Sequence, residues 1–233
     1  MSRAAALLDR LGHPGSIRLG TASAARTDRL PTGLASLDAL LGGGLPRGQV
    51  SEIAGRHSAG RTALACRVAA TTTARGEIVA WVDPDNALDP EMAAAAGVHL
   101  DHTLWVRPRR PGDAPRAAEL LLETGGFALV VLDLAESSSS VRASSVGRSA
   151  AGTWTRLARA AQRTGSTLLV VGSSRQAGAT AAFGLELGPH RTRWSGGRGR
   201  PLLLEGVSVR VTVARSRTGA QGRTLVVHHA ACA

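Results

Sequence analysis

The sequence contains no lysine, so all 28 of its strongly basic side chains are arginines. This absence excludes any site that depends on a lysine ammonium group. Against 17 acidic residues, the arginines give a formal net charge of +11. Such an excess favours a polyanionic partner, either nucleic acid or an acidic protein. An arginine-only composition also arises from coding bias, in which case the extra charge lies on solvated surface.

Cysteine is scarce, because the chain has only Cys66 and Cys232, far apart in the sequence. This excludes a disulfide framework, and Cys66 falls in a helical pattern where a small buried side chain is expected. No spacing typical of a metal site links four of the histidines, His57, His190, His228 and His229. We assign these histidines no chemistry.

Long apolar runs are also missing. Residues 127–132 and 167–171 have the length of strands, and no run approaches the roughly 20 residues of a spanning helix. Near the start, an apolar stretch is interrupted by Asp9 and is too short for a secretion signal. The sequence therefore predicts a soluble, cytoplasmic protein without a membrane span.

The middle of the chain alternates short apolar runs with amphipathic stretches, which is typical of a parallel sheet with crossover helices. The predicted strands are residues 49–54, 78–83, 103–106, 127–133 and 167–172. The predicted helices are residues 62–75, 88–96, 115–124 and 152–164. This pattern predicts a doubly wound α/β core, a mostly parallel sheet with helices on both faces.

Near the end of the chain, apolar and polar residues alternate one by one. Residues 207–213 alternate valine with Ser208, Arg210 and Thr212, as in a half-buried strand. A turn at Gly219 and Gly222 would return the chain as a second strand over residues 225–227. We expect a C-terminal antiparallel hairpin on the mostly parallel sheet.

Two segments, residues 136–147 and 173–201, match no element. Both are rich in serine, glycine or arginine. Both follow the carboxyl end of a predicted strand, where open α/β sheets bind their ligands. We interpret both as functional loops that could be disordered without a ligand.

The sequence GRHSAGRT, residues 55–62, lies between the first of these strands and the following helix. It fits the P-loop spacing GxxxxGK[ST] at every defined position except the lysine, which is Arg61 here. That spacing places backbone N–H groups around phosphate oxygens at a helix N-terminus and brings a hydroxyl, here that of Thr62, towards Mg²⁺. The motif predicts a phosphate-binding loop.

The sequences around this loop resemble the RecA family. Upstream, LPTGLASLD (residues 30–38) and GGLPRGQ (43–49) are similar to the family's lead-in to the phosphate loop. Downstream, WVDPDNALDP (81–90) resembles the segment with the catalytic carboxylate, and LVVLD (129–133) resembles the Walker B strand. The resemblance implies a RecA-like P-loop core.

The resemblance also implies ATP and Mg²⁺ as cofactors. It assigns nucleotide binding to Gly55, Ser58, Gly60, Arg61, Thr62, Asp89 and Asp133. Within this set, Thr62 and Asp133 would be the Mg²⁺ ligands, and Asp89 would approach the adenine.

Three positions depart from the family pattern. Arg61 replaces the lysine, and its planar guanidinium cannot reproduce a compact ammonium between two phosphoryl groups. Asp85 occupies the place of the catalytic glutamate but is one methylene shorter, and Ser173 occupies the place of the glutamine that senses the γ-phosphate. We therefore expect weak or absent ATP hydrolysis and leave nucleotide binding open.

RecA-type proteins hold single-stranded DNA on loops after the Walker B strand and the next core strand, where the two unassigned segments lie. Cationic side chains beside an aromatic one suit phosphate contact and base stacking. The candidate DNA-binding residues are Arg142, Arg148, Arg175, Arg191, Arg193, Trp194, Arg198 and Arg200. Loops rich in glycine and arginine are also common as plain surface, so DNA contact stays open.

Residues 1–29 resemble the RecA arm that docks on a neighbouring protomer, with a helix expected over residues 4–11 and a strand over 17–19. The resemblance implies self-assembly or mixed assembly with RecA. We expect residues 30–233 to form the core, without the separate C-terminal domain of a full RecA.

A short, lysine-free RecA core is similar to the ImuA group, accessory proteins of the bacterial DNA-damage (SOS) response linked to translesion synthesis. This resemblance implies contacts with RecA or an ImuB-like translesion polymerase partner that direct damaged DNA from recombination to mutagenic repair. Two alternatives stay open, an active DNA-stimulated ATPase and a simple single-stranded DNA-binding protein.

Overall fold

The computed structural model of the chain describes residues 28–134, 150–197 and 200–230. The helix and strand expected in the arm and the segment 136–147 lie outside these residues. The described residues form ten strands and five α-helices. None of these helices has both the length and the apolar character that a membrane span requires.

The strands follow the chain in order. They are β1 (Arg29–Leu30), β2 (Leu45–Pro46), β3 (Val50–Gly55), β4 (Val79–Val82), β5 (Thr103–Val106), β6 (Leu129–Leu134), β7 (Thr167–Gly172), β8 (Phe183–Gly197), β9 (Arg200–Ser216) and β10 (Thr224–Ala230). The helices are α1 (Ala35–Leu41), α2 (Arg61–Thr73), α3 (Pro90–Ala95), α4 (Ala114–Thr124) and α5 (Ala150–Thr164).

Eight strands form the central sheet in the order β5-β4-β6-β7-β3-β8-β9-β10, and β1 pairs with β2 in a small separate sheet. Neighbours from β5 to β8 are parallel. The pairs β8-β9 and β9-β10 are antiparallel. The α/β class, the mostly parallel sheet and the C-terminal antiparallel strands are therefore confirmed.

Helices cover both faces of the sheet because alternate residues of a strand point to opposite faces. In β6, Leu129 and Val131 join a core that includes α1, α2 and α3. Val130 and Leu132 join a second core with α4 and α5. Burial on both faces explains why the parallel strands read as continuous apolar runs.

The prediction of a loop over residues 173–201 is wrong for most of its length. β8 occupies Phe183–Gly197, and β9 begins at Arg200. Phe183, Leu185 and Leu187 alternate along β8 and are buried in the core with α2. The glycines and arginines of this segment masked that alternation, and pairing with β3 on one side and β9 on the other stabilises the strand.

Candidate nucleotide-binding site

The phosphate loop connects β3 to α2 at the carboxyl edge of the sheet, and α2 begins at Arg61. Ser58 and Gly60 have positive φ angles of 60° and 85°. The N–H of Ala59 donates to the carbonyl of Arg56 at 3.1 Å. The tight turn leaves the first N–H groups of α2 without helical acceptors, which is the arrangement that binds phosphate.

The loop packs against β8. A Cβ added to Gly55 would lie 3.0 Å from both the Cβ and the carbonyl oxygen of Leu187. A cavity of about 350 Å³ lies beside this contact, lined by Arg56, His57, Ala59, Leu187, Gly188, Pro189 and His190. The loop and the middle of β8 therefore share one packed surface.

Arg61 is buried, although arginine is usually exposed. Only 5% of its surface is accessible, whereas Thr62, beside it on α2, is half-buried. The guanidinium of Arg61 therefore packs within the protein, at the position where the family's lysine meets phosphate.

Asp133 lies in β6, with 4% of its surface exposed. Asp133 pairs with Val171 of β7. The next residue of β7, Gly172, pairs with Ala54 of β3, just before the phosphate loop. Burial raises the pKa of the Cys66 thiol in α2 to about 12, and the carboxylate of Asp133 adds to that rise. Asp133 therefore lies near α2, the helix that follows the phosphate loop.

Asp83 organises the loop that follows β4. Its carboxylate accepts hydrogen bonds from the backbone N–H groups of Ala87 at 3.0 Å and Leu88 at 2.9 Å. The indole N–H of Trp105 donates to it at 3.2 Å. Asp83 is only 1% exposed. An acidic residue directly after an apolar strand was the signal that could have identified this role.

The loop stabilised by Asp83 contains two of the predicted site residues, Asp85 and Asp89. Asp85 is exposed on it. Asp89 caps α3, since its Oδ1 accepts from the N–H groups of Glu91 and Met92 at 2.9 and 3.1 Å. The structure thus assigns Asp89 a capping bond, while its contact with adenine stays a prediction.

Ser173 is half-buried directly after β7, at the edge that also carries the phosphate loop and Asp133. The segment beginning there is attached to the sheet through Glu52 of β3. Oε2 of Glu52 accepts from the backbone N–H groups of Gln176 at 2.8 Å and Ala177 at 2.9 Å. Sequence reasoning missed Glu52, although a carboxylate in the apolar strand VSEIAG was a signal.

Burial raises the pKa of Glu52, which is 1% exposed. The two backbone donors and the positive charges of Arg175 and Arg215 oppose that rise. Arg215 also donates to the carbonyls of Ala181 and Ala179 at 2.8 and 2.9 Å. Residues 173–182 are therefore fixed to the sheet by the carboxylate of Glu52 and the guanidinium of Arg215.

The candidate DNA-binding residues do not share one surface. Arg175 pairs with Glu186 at 3.0 Å. Arg191 and Arg193 alternate with Trp194 along β8, so strand geometry places them on opposite faces from it. The backbone of Arg200 pairs with that of Gly197. The remaining candidates, Arg142, Arg148 and Arg198, lie outside the described residues.

A separate cluster lies on the turn before β5. His99, Asp101 and His102 bring their ligand atoms within 4.8 Å of one another, so these residues could hold a metal ion. The Nδ1 atom of His102 lies 3.3 Å from Oδ1 of Asp101. The cluster belongs to the edge strand of the sheet and not to the phosphate loop.

Comparison with known proteins matches this geometry to one family. The sequence profile of the RecA N-terminal domain matches residues 2–183. Protein RecA of Acidothermus cellulolyticus is 40% identical over 135 residues, which are 57% of this chain and 39% of that protein. Protein RecA of Clavibacter michiganensis is also 40% identical over 135 residues, covering 57% of this chain and 37% of that protein.

The match thus spans about two fifths of the length of these RecA proteins. Among solved structures, the crystal structure of the RadB recombinase superposes with a TM-score of 0.64 at 22% sequence identity. That alignment covers 85% of this chain and 95% of the RadB chain. It supports the same fold. With a family match over most of its length and a sheet of the same architecture, the chain belongs to the RecA N-terminal domain family.

Proposed function

We propose that this chain is an accessory RecA relative of the ImuA type in the bacterial DNA-damage (SOS) response. It acts through contacts with RecA, with an ImuB-like translesion polymerase partner, with DNA, or with several of these. Through these contacts it modulates recombination and promotes mutagenic repair. ATP turnover is weak or absent.

The observation that carries this proposal is the burial of Arg61 at the head of α2. A lysine in a phosphate loop extends a compact charge to the β- and γ-phosphates. The guanidinium is planar and wider, and its packed position would have to change before it met phosphate in the same way. The loop keeps its shape while its principal charged group differs.

Two further positions weaken hydrolysis. The shorter Asp85 lies on an exposed loop, so a water molecule that it activates is poorly screened from solvent. Ser173 is too short to reach the distance that a glutamine spans. Three changed groups at three separate tasks support a binding role over a catalytic one.

Nucleotide binding fits the loop better than turnover does. The positive φ angles of Ser58 and Gly60 form the backbone cradle. Thr62 and Asp133 would hold Mg²⁺, and the N–H groups at the start of α2 would hold the phosphates. Bound nucleotide would then stabilise one conformation of the carboxyl edge of the sheet without being hydrolysed.

Contact with single-stranded DNA is part of the proposal and depends on the arginine excess. Self-assembly, through residues 1–29, is proposed on the resemblance to the RecA arm.

The test uses the purified full chain in two assays. Biolayer interferometry measures its binding to purified cognate RecA and to the purified cognate translesion polymerase partner. Phosphate release is measured with and without single-stranded DNA for the wild type, Arg61→Ala and Arg67→Ala. Arg67 is the matched control, because it is an exposed arginine on the same helix.

We expect saturable binding to at least one of the two proteins and phosphate release at background level in all three chains. Absence of binding to both proteins would remove the proposed function. DNA-stimulated phosphate release that Arg61→Ala abolishes and Arg67→Ala leaves intact would instead identify an active ATPase.

A further inference from the structure

The strands β8 and β9 extend beyond their neighbours in the sheet. The pairing of β3 with β8 ends at Leu187, and the pairing of β10 with β9 ends at Gly206. Past these points, β8 and β9 pair only with each other, up to Gly197 and Arg200. We call residues 189–197 and 200–205 the ribbon, and it projects from the edge that carries the phosphate loop.

The pairing register divides the ribbon into two faces. Thr192 lies opposite Val207, and Trp194 lies opposite Leu204. The indole N–H of Trp194 donates to Oγ1 of Thr192 at 3.0 Å, which fixes these side chains on one face. A register shift between Arg193 and Trp194 places Leu204 on the same face as Val207, although the two are three residues apart in β9. Leu202 lies next to this face, where the register shifts again between Ser195 and Gly197.

This apolar face continues the core outwards. Val207 lies on the same face and packs against the larger core, to which Val209 and Val211 also belong. Further out, Leu204 is 41% exposed and Leu202 is 66% exposed. The row of core residues therefore extends beyond the domain, and none of the described residues covers its outer part.

Large apolar side chains are rarely so exposed side by side on a protein surface. Trp194 is 56% exposed and lies beside the two leucines. A two-stranded ribbon has no second layer of its own to bury such a face. A contiguous apolar surface on a projecting element is typical of a site for protein association.

The opposite face of the ribbon carries the exposed Leu203 together with arginines that continue onto the base of the ribbon. Arg193 pairs with Glu205 at 3.2 Å. Within the described residues, neither Arg191 nor Arg210 forms an ion pair, and both are exposed. The apolar face is thus bordered by positive charge that one carboxylate does not neutralise.

This charge selects the kind of partner. A second copy of a chain of net charge +11 would bring like charges together at the ribbon. Nucleic acid would satisfy the arginines but leave Leu202, Leu204 and much of Trp194 in water. An acidic protein segment that also carries apolar side chains satisfies both faces at once.

We propose that the ribbon docks an acidic partner protein, whose apolar side chains cover Trp194, Leu202 and Leu204 while its carboxylates meet the arginines. The inference rests on the proposed function through protein contacts and names the surface that makes them. The partner surface is therefore the β8–β9 ribbon and not the loop after β7.

Leu204 and Leu203 provide a matched pair of variants. They are adjacent in β9 and 41% and 64% exposed, and they lie opposite Trp194 and Ser195, which alternate in β8. Each serine variant of the full chain is tested by biolayer interferometry against purified cognate RecA and the purified cognate polymerase partner. Urea unfolding checks that both variants remain as stable as the wild type.

For the partner that the wild type binds, we expect Leu204→Ser to weaken affinity by about tenfold or more and Leu203→Ser by less than about threefold. Arg191→Glu should weaken binding as well and flatten its salt dependence. If the wild type binds and the two leucine variants behave alike, this surface is wrong while the proposed function stands. If the wild type binds neither protein, both fall.

Two other occupants are distinguished in the same experiment. Sedimentation velocity of the wild type and Leu204→Ser would reveal a dimer formed through this face. Fluorescence anisotropy of labelled single-stranded DNA with the same two chains would reveal a nucleic-acid site there. A dimer lost in Leu204→Ser, or DNA affinity that Leu204→Ser loses while it keeps its protein binding, overturns the proposal.

Discussion

The carboxylate of Glu52 accepts the backbone N–H of Ala177 at 2.9 Å, across 125 positions of the chain. The same oxygen accepts the N–H of Gln176. This contact joins the middle of β3 to the segment that begins at Ser173. A buried carboxylate therefore couples two parts of the candidate site that are far apart in the sequence.

Replacement of Glu52 tests this link. Glu52→Ala leaves two buried N–H groups without an acceptor and should lower the free energy of unfolding by about 2–4 kcal/mol. Glu52→Gln keeps an acceptor oxygen and should lose less. Urea unfolding measures both, with Glu91→Ala as an exposed acidic control on α3. Unfolding of Glu52→Ala at the wild-type urea concentration would contradict the coupling.

The raised pKa of Glu52 also predicts a pH dependence. The folded chain keeps this proton to a higher pH than the unfolded chain does. The free energy of unfolding should therefore fall as pH rises from the ordinary carboxyl pKa of about 4.3 up to the raised value. Glu52→Gln should remove that part of the slope. Equal slopes in urea titrations from about pH 4 to pH 7 would contradict the raised pKa.

Asp83 and Asp85 should differ sharply although they are two residues apart. Asp83→Ala removes the acceptor of two backbone N–H groups and of the Trp105 indole, and should cost about 2–4 kcal/mol of folding stability. Asp85→Ala alters an exposed side chain and should cost less than about 1 kcal/mol. Thermal unfolding followed by tryptophan fluorescence compares them, and similar losses would refute the structural role of Asp83.

Gly55 should not tolerate a side chain. In Gly55→Ala, the new methyl group would press on the Cβ and the backbone oxygen of Leu187, and we expect a loss of about 1–3 kcal/mol. Gly188→Ala is the control, because its Cβ would be in ordinary contact, 3.5 Å from the carbonyl of Arg210. Equal unfolding midpoints for the two variants would show that the loop and β8 are not packed as described.

Cys66 should resist thiol reagents in the folded chain. Its pKa of about 12 leaves roughly one thiolate in ten thousand at pH 8, and its side chain is buried. A Cys232→Ser chain isolates this thiol for reaction with Ellman's reagent. We expect no labelling before urea is added and complete labelling afterwards. Rapid labelling of the folded chain would refute the burial beside Asp133.

Local periodicity was sufficient to predict much of the fold. The apolar run at β6 ends at an aspartate, the glycine spacing of residues 55–62 lies between a strand and a helix, and alternating valines mark β9. Each signal lies within a few consecutive residues. The class of the fold, the phosphate loop and the C-terminal hairpin followed from such signals.

Other features depended on residues far apart in the chain. β8 was missed because its glycines and arginines hide its alternation, while its stability comes from pairing with β3 and β9. The separation of Trp194 from Arg191 depends on the register between two long strands. The part played by Glu52 was likewise hidden, since its hydrogen-bond donors lie more than a hundred residues away.

The sequence by itself determined the α/β architecture and the glycine-spaced loop between β3 and α2, because hydrophobic period and motif spacing are local properties. Only the tertiary structure decided that Arg61 is buried, that Glu52 fixes the segment after β7 and that Trp194 and Leu204 share one face of the ribbon. Burial and strand register arise when distant segments pack together. No window of consecutive residues contains that information.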